Sequence, residues 1–228
     1  MNGRSSERTQ VGIVGAGPAG LILALLLRRR GIESVVLELR SRSYCEQRVR
    51  AGVLEQGTVE VLDENGAGER MRREGLVHGG IYLRFGGRSR HIDFPALTGK
   101  AITVYGQHEV VKDLIGAHVA DGAPLHFEVQ DVQLTGLQSD RPSIRYRDAG
   151  GAERELGCDF VAGCDGFHGI SRESVPASAL RVFERVYPFA WLGILSASPV
   201  VCEELIYVHH ARGFALFSQR TDSCARTR

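Results

Sequence analysis

The sequence predicts an α/β fold that opens with a parallel sheet and a β-meander and ends in a mostly β region. An apolar strand at 10–14 runs through a glycine cluster into a helix at 18–30, and a second strand follows at 34–38. A βαβ unit of about 30 residues makes such strands parallel. Short apolar runs separated by turn residues over 125–162 indicate a meander, and strand patterns alone follow from residue 180 onward.

The middle of the chain alternates between helical and strand patterns. A helix is predicted over 53–73 with a break at Asn65-Gly66, and a hairpin over 80–94 turns at Gly86-Gly87. A strand at 103–105 precedes a helix at 107–120. Further strands are predicted at 125–137, 143–147, 153–156, 159–162, 181–186, 191–196, 205–209 and 213–218.

The change from mixed to strand-rich patterning sets the predicted domain boundary. We expect a first domain over 1–178, from which the hairpin region 77–98 extends towards the second domain. The second domain, 179–228, would be β-rich and incomplete.

Composition excludes several classes of protein. The 228 residues carry a net charge of +1, which favours neither nucleic acid nor a membrane surface as partner. Five cysteines without a CxxC pair and eight histidines without HExxH predict neither a disulfide framework nor a metal site. These features fit a reducing cytoplasm. The uncharged run 11–27 raises the alternative of a membrane helix, but it is turn-prone and shorter than the roughly 20 residues that a bilayer requires.

A GxGxxG pattern, Gly15, Gly17 and Gly20, lies where the first strand turns into the helix. Glycines at this spacing allow a tight turn, the close approach of a pyrophosphate, and close contact between helix and strand. Glu38 ends the next strand, where it can accept hydrogen bonds from an adenosine ribose. The unit is therefore Rossmann-like and predicts dinucleotide binding, with a ligand-free glycine turn as the alternative.

These features leave NAD(H) and FAD both open. An NAD-dependent dehydrogenase of the short-chain type would carry a Tyr-x-x-x-Lys pair. The residues four positions before Lys100 and Lys112 are Ala96 and His108, so that class is excluded.

Motifs further along the chain resemble a known family. The segment 163–172, GCDGFHGISR, resembles the DG motif of the class A flavoprotein monooxygenases, whose aspartate lies near both FAD and the pyridine nucleotide. The match runs from about residue 9 to residue 220. Within that family, the 4-hydroxybenzoate 3-monooxygenases have segments that resemble 48–57, 105–107, 183–189 and 212–216 of this chain.

The resemblance implies that the first domain binds FAD and that NADPH is the reductant. FAD-binding positions of the family match Gly15, Gly17, Gly20, Glu38, Arg50, Gln107 and Asp165. Pyridine-nucleotide positions match Arg50, His168, Arg40, Arg42 and Tyr44. The guanidinium groups of Arg40 and Arg42 suit a 2′-phosphate. Solvated surface arginines, with NADH as the reductant, are the alternative.

The resemblance also implies a site for a small aromatic acid. Ser218 and Arg220 match the pair that holds the benzoate carboxylate, which an arginine fork can bind in a bidentate manner. Tyr207 matches the tyrosine that hydrogen-bonds the substrate phenol, and His78 matches the outer end of the proton relay. Trp191 matches a tryptophan of the substrate region. The alternatives are ordinary strand packing for Tyr207 and a solvated loop position for His78.

The activity that the resemblance implies is hydroxylation of 4-hydroxybenzoate to 3,4-dihydroxybenzoate with NADPH and O2. Full-length members of the family are expected to be homodimers. The resemblance weakens over 221–228, and family features beyond that point, such as the GD motif, are missing. We therefore expect a chain truncated at its C-terminus by a frameshift or premature stop. An inactive fragment with residual or no FAD binding is the alternative.

Overall fold

The structure is a computed structural model, and it describes residues 6–199, 202–221 and 224–227. In chain order, the strands of this part are β1 (Ser6–Val14), β2 (Ser34–Leu37), β3 (Val53–Glu55), β4 (Leu76–His78), β5 (Gly80–Phe85), β6 (Arg88–Asp93), β7 (Ile102–Val104), β8 (Leu125–His126), β9 (Gln130–Thr135), β10 (Ser143–Arg147), β11 (Glu153–Gly163), β12 (Ile194–Ala197), β13 (Leu205–His210), β14 (Gly213–Thr221) and β15 (Cys224–Thr227). The helices are α1 (Pro18–Arg29), α2 (Arg42–Gln47), α3 (Gln56–Glu64), α4 (Glu69–Glu74), α5 (Phe94–Thr98), α6 (Gln107–Ala120) and α7 (Ile170–Glu173).

Contacts divide the chain into two compact units. The first contains the chain up to Val49 together with His108–Phe183. The second contains Arg50–Gln107 together with the chain from Glu184 onward. The sequence-based boundary at 178/179 stays a prediction, although the contacts group the whole of Arg50–Gln107 with the later part of the chain.

The first unit contains a six-stranded sheet in the order β8-β2-β1-β11-β10-β9. Its β8, β2, β1 and β11 strands are parallel, whereas β9 and β10 extend β11 as an antiparallel meander. The predicted α/β class with a parallel sheet and a meander is confirmed. β11 is one continuous strand, where the sequence predicted two, because it pairs with β1 on one side and with β10 on the other.

The core of this unit is apolar and closely packed. Val14, Leu37, Ile144 and Leu156 are among the buried side chains of one cluster on the sheet. A Cβ at Gly12 would lie 2.6 Å from both the sulfur of Cys158 and a side-chain carbon of Ile144. The apolar run 11–27 is therefore the end of β1, the glycine turn and most of α1. In the part of the chain that the structure describes, no helix is long and apolar enough to cross a membrane.

The second unit contains two sheets. The larger has the order β12-β15-β14-β13-β5-β6, and its neighbouring strands are antiparallel except for the parallel pair β13 and β5. The smaller is antiparallel, in the order β3-β7-β4. The hairpin β5–β6 turns at Gly86 and Gly87, both with positive φ, as the sequence predicted. Such a two-residue turn requires φ above zero at both positions.

Several predicted elements differ from the structure. Residues 53–55 form β3 rather than the start of a helix, because they pair with β7. Residues 180–193 form neither helix nor strand, although 181–186 and 191–193 were predicted as strand. Phe183 is 90% exposed and Val186 87% exposed, so these β-type side chains have no sheet neighbour in the described residues. Strand propensity depends on such neighbours.

His118 on α6 joins two helices of the first unit. It is buried, and its Nε2 lies 2.9 Å from the carbonyl oxygen of Leu21 in α1. Burial lowers the pKa of His118 below its ordinary value of 6.5, while the hydrogen bond to the Leu21 carbonyl acts in the opposite direction. The imidazole is therefore neutral in the folded protein, with Nε2 carrying the proton donated to Leu21.

We predict that the folded protein loses stability as the pH falls below 6.5, the ordinary pKa of histidine. The unfolded chain then takes up a proton at His118 that the folded chain does not, and the loss is at most about 1.4 kcal/mol per pH unit. Urea denaturation at pH values from neutral to about 5 measures this loss of stability. His118→Gln keeps a donor for Leu21 and should flatten the pH dependence. If the free energy of unfolding of this variant depended on pH as steeply as that of the unchanged protein, the role assigned to His118 would be contradicted.

Candidate functional site

The glycine turn of the first unit sits at the end of β1, against the end of β11. Gly15 has a φ of 105°, and a Cβ there would lie 2.5 Å from the carbonyl oxygen of Cys164 and 2.9 Å from the Cα of Asp165. The Gly15 N–H donates to the Leu37 carbonyl at 2.8 Å, and the Cys164 N–H donates to the Val14 carbonyl at 2.8 Å. Only glycine fits both this conformation and this space.

The other two glycines of the pattern differ in what surrounds them. Gly20 faces inward, because a Cβ there would collide with the Gly15 carbonyl oxygen. Gly17 faces open space, with no atom within 4 Å of its Cβ position. Gly17 is also the residue that caps the N-terminus of α1, and no side chain caps the helix there. The first N–H groups of α1 are therefore available to an anion that approaches past Gly17.

Glu38 is attached to this turn by its carboxylate. Its Oε2 accepts a hydrogen bond from the Ala16 N–H at 2.8 Å, and its Oε1 accepts one from the Arg40 N–H at 2.7 Å. Each carboxylate oxygen has further acceptor capacity. The carboxylate thus lies beside the anion-accepting turn in a fixed orientation, where a ribose hydroxyl of a bound nucleotide could donate to it.

The predicted DG aspartate adjoins the same turn. The Asp165 backbone lies against Gly15, and its Oδ2 accepts a hydrogen bond from the Ser171 N–H at 2.9 Å. Gly166 has a φ of 79°, and a Cβ at Gly169 would overlap the Asp165 carboxyl group. The structure therefore brings the GxGxxG turn, Glu38 and the DG loop together at one edge of the sheet.

The residues predicted to read the pyridine nucleotide lie on exposed segments of the first unit. Arg40 stacks over the Tyr44 ring, 5.2 Å from its centroid, and Arg42 is paired with Glu46 at 2.7 Å. His168 is exposed and touches the Phe167 ring edge-on, at 5.0 Å between centroids. Arg40 and Tyr44 thus form one stacked group, whereas Arg42 is engaged by its own helix.

The second unit carries three of the predicted substrate residues on β13 and β14 of its larger sheet. Tyr207 in β13 is opposite Leu216 in β14. Ser218 follows Leu216 at an interval of two along β14, so both point to the face that Tyr207 occupies, and Arg220 comes two residues after Ser218. Ser218 is buried and Arg220 is half-buried. The register of β14 against β15 shifts between Gln219 and Thr221, that is, at Arg220. Such bulges re-aim a side chain.

An aromatic cluster borders these polar groups. Phe214 lies 6.3 Å from the ring centroid of Tyr207 and 5.5 Å from that of Trp191, edge-on to the latter. Trp191 itself is 59% exposed. Tyr207 is half-buried, and its ring is tilted against that of Phe214.

Arg50 and Gln107 belong to neighbouring segments of the second unit. The Gln107 N–H donates to the Ala51 carbonyl at 3.0 Å, which joins the start of α6 to the segment that carries Arg50. The Tyr105 N–H donates to the Gly52 carbonyl at 3.0 Å. Two segments predicted separately from the sequence therefore form one hydrogen-bonded structure.

His78 ends β4 and is 1% exposed, so it is not the solvated loop histidine of the alternative interpretation. Burial lowers the pKa of His78, and the charge of Glu204 raises it. The Glu204 carboxylate lies 2.5 Å from Nε2 of His91, which is partly exposed. Sequence reasoning missed Glu204 and His91, because only the pairing of β13 with β5 brings them together.

Among the residues that the structure describes, the other groups of charges do not form a second candidate site. A cavity of about 400 Å³ lies over the meander, but its arginines are paired with acids: Arg145 with Glu155, Arg147 with Asp131 and Arg154 with Asp148. In the described ranges, no cluster of three or more histidine, cysteine or acidic side chains could hold a metal ion.

Comparison with known proteins identifies the family. A family model described as FAD binding domain matches residues 8–227. The p-hydroxybenzoate hydroxylase of Acinetobacter baylyi is 45% identical over 220 residues, which cover 96% of this chain and 54% of that protein. The 6-methylpretetramide 4-monooxygenase of Streptomyces rimosus is 31% identical over 185 residues, covering 78% and 43%. The chain spans about half the length of these curated relatives.

Solved structures share the fold at lower identity. PqsL of Pseudomonas aeruginosa, in complex with 2-aminobenzoylacetate, matches with a TM-score of 0.78 and 22% identity, over 97% of this chain and 60% of that one. The p-nitrophenol 4-monooxygenase PnpA of Pseudomonas putida matches with a TM-score of 0.74 and 20% identity, over 97% and 57%. The glycine turn, Glu38 and the DG loop fit a dinucleotide, and the chain belongs to the family of FAD-dependent aromatic monooxygenases, whose cofactor is FAD.

Proposed function

We propose that this chain is the FAD-binding and substrate-binding part of a monooxygenase that hydroxylates 4-hydroxybenzoate to 3,4-dihydroxybenzoate, with NADPH and O2 as co-substrates. The observation that carries the proposal is the strand pairing that sets Tyr207 and the buried Ser218 on one sheet face, with Arg220 two residues beyond Ser218 on the same strand. The hydroxylase of Acinetobacter baylyi supports the choice of substrate by its name and its 45% identity. The predicted pairing of two copies stays a prediction of the resemblance.

FAD binding is assigned to the glycine turn and its neighbours. The diphosphate would lie past Gly17 against the N-terminus of α1, and Glu38 would accept a ribose hydroxyl. Asp165 and its loop adjoin this turn, and Arg50 and Gln107 are the further positions that we assign to FAD. When bound, FAD supplies the activation of O2 and the transfer of one oxygen atom to the ring.

The chain itself supplies orientation and proton control. Arg220 and Ser218 would hold the carboxylate of the substrate, since a guanidinium fork and a hydroxyl offer three donors to two acceptor oxygens. Tyr207 would accept the proton of the substrate phenol in a hydrogen bond, which raises the electron density at the adjacent ring carbon. His78 is neutral at neutral pH, because burial lowers its pKa, and it can accept a proton that leaves this site.

NADPH is favoured over NADH by the stacked pair of Arg40 and Tyr44. A guanidinium fixed on an aromatic ring offers a planar set of donors to a 2′-phosphate. Arg42 contributes less to this assignment, because Glu46 already neutralises it. His168 would contact the same nucleotide from the DG loop.

The two glycines of the turn should respond differently to alanine. Gly17→Ala places a methyl group in open space where the diphosphate would lie, so the Kd for FAD should rise at least tenfold at a cost in stability of at most about 1 kcal/mol. Gly20→Ala collides with the Gly15 carbonyl and should lower the free energy of unfolding by about 1–3 kcal/mol. Flavin fluorescence titration and urea denaturation separate the two effects. Unchanged FAD affinity in Gly17→Ala would refute the binding of the diphosphate at this glycine turn.

The substrate assignment predicts a split between binding and turnover. In the FAD-loaded protein, Arg220→Gln should weaken 4-hydroxybenzoate at least tenfold, because a charge-assisted bond contributes about 1.5–3 kcal/mol. The affinity for neutral 4-hydroxybenzamide should fall much less. Tyr207→Phe should leave the Kd nearly unchanged and lower product formation by about 10²–10⁴-fold. Calorimetry measures the Kd values, and chromatographic detection of 3,4-dihydroxybenzoate measures product formation. An equal loss of affinity for both ligands in Arg220→Gln would count against the proposal.

A further inference from the structure

We propose that Gly52 is a positioning residue for the proposed substrate site: the absence of a side chain there gives the Arg220 guanidinium the space in which its fork meets the carboxylate of the aromatic acid. The inference rests on the proposed function, in which Arg220 holds that carboxylate. Gly52 lies two residues after Arg50 in the family-like segment 48–57, but the sequence assigned it no role of its own.

The contact between the two residues is direct. A Cβ built on Gly52 would overlap Nη1 of Arg220, and it would lie 2.6 Å from Cζ and 3.0 Å from Nη2. All three guanidinium atoms nearest to the Cβ position belong to the part of the side chain that would bind an anion. The guanidinium therefore occupies the space that a side chain at residue 52 would take.

The backbone at this position cannot withdraw from the guanidinium. The Gly52 carbonyl accepts a hydrogen bond from the Tyr105 N–H at 3.0 Å, and the neighbouring Ala51 carbonyl accepts one from the Gln107 N–H at 3.0 Å. Val53, the next residue, begins β3 and pairs with Val104 in β7. Gly52 is also buried. We therefore expect a side chain at residue 52 to displace Arg220 rather than its own backbone segment.

The atoms that a methyl group would displace are side-chain atoms of Arg220, not backbone atoms. Arg220 stands at the register shift of β14, and its guanidinium is the far end of a flexible side chain. Gly52 is not among the glycines with positive φ, so alanine is compatible with its backbone conformation. The expected effect of a methyl group is therefore local. The fold survives, while the fork leaves the orientation that allows two parallel hydrogen bonds to one carboxylate.

The test compares Gly52→Ala with the matched control Gly57→Ala. Gly57 lies in α3 of the same unit and has no atom within 4 Å of its Cβ position. Calorimetry on the FAD-loaded protein gives the Kd values of 4-hydroxybenzoate and 4-hydroxybenzamide. Their ratio measures recognition of the carboxylate alone. We expect Gly52→Ala to reduce the preference for the carboxylate at least tenfold, and Gly57→Ala to leave it within twofold of the unchanged protein.

A double-mutant cycle separates this inference from the proposed function. Arg220→Gln alone should abolish the preference, and adding Gly52→Ala to it should change nothing further, because the two substitutions act on one interaction. If Arg220→Gln keeps the preference, the proposed function fails. If Arg220→Gln removes it while Gly52→Ala leaves it intact, only the role of Gly52 fails. Loss of the folded state in Gly52→Ala, seen by circular dichroism, would also overturn the inference, since it would mean that the methyl group displaces backbone.

Discussion

The close approach of two backbones, at Gly15 and at the end of β11, fixes the arrangement of the nucleotide-binding edge. A Cβ at Gly15 would lie 2.5 Å from the Cys164 carbonyl oxygen, so glycine alone permits the approach. The parallel pairing of β1 with β11 brings these residues together although about 150 positions separate them in the sequence. The phosphate-accepting turn and the DG loop thus share one edge of the sheet, which is where open α/β sheets bind their ligands.

In the second unit, an analogous constraint acts on a side chain. The pairing of β13 with β14 sets Tyr207 and Ser218 on one face, and the register shift against β15 takes Arg220 out of the regular ladder. Gly52 then supplies the space for the guanidinium. The chemistry proposed for this unit therefore depends on backbone geometry as much as on the polar groups themselves. Glycine, which contributes no functional group, is the residue that both units require beside their functional side chains.

The sequence predicted the local elements well and the long-range ones less well. Apolar periodicity and glycine spacing gave β1, α1 and the hairpin turn at Gly86-Gly87, because these depend on neighbours in the chain. The strand expected at 181–186 failed, because a strand requires a partner that local propensity does not reveal. The proximity of Gly52 to Arg220 and of Glu204 to His91 could not be foreseen for the same reason. Motif resemblance, in contrast, located the FAD family correctly.

A crystal structure of the protein with FAD and 4-hydroxybenzoate tests the central claim most directly. The account predicts the FAD diphosphate beside Gly17 at the start of α1, with the ribose hydroxyls within hydrogen-bond distance of Glu38. It also predicts the carboxylate of the aromatic acid in contact with Arg220 and Ser218. A diphosphate bound away from the glycine turn, or a carboxylate that does not touch Arg220, would contradict it.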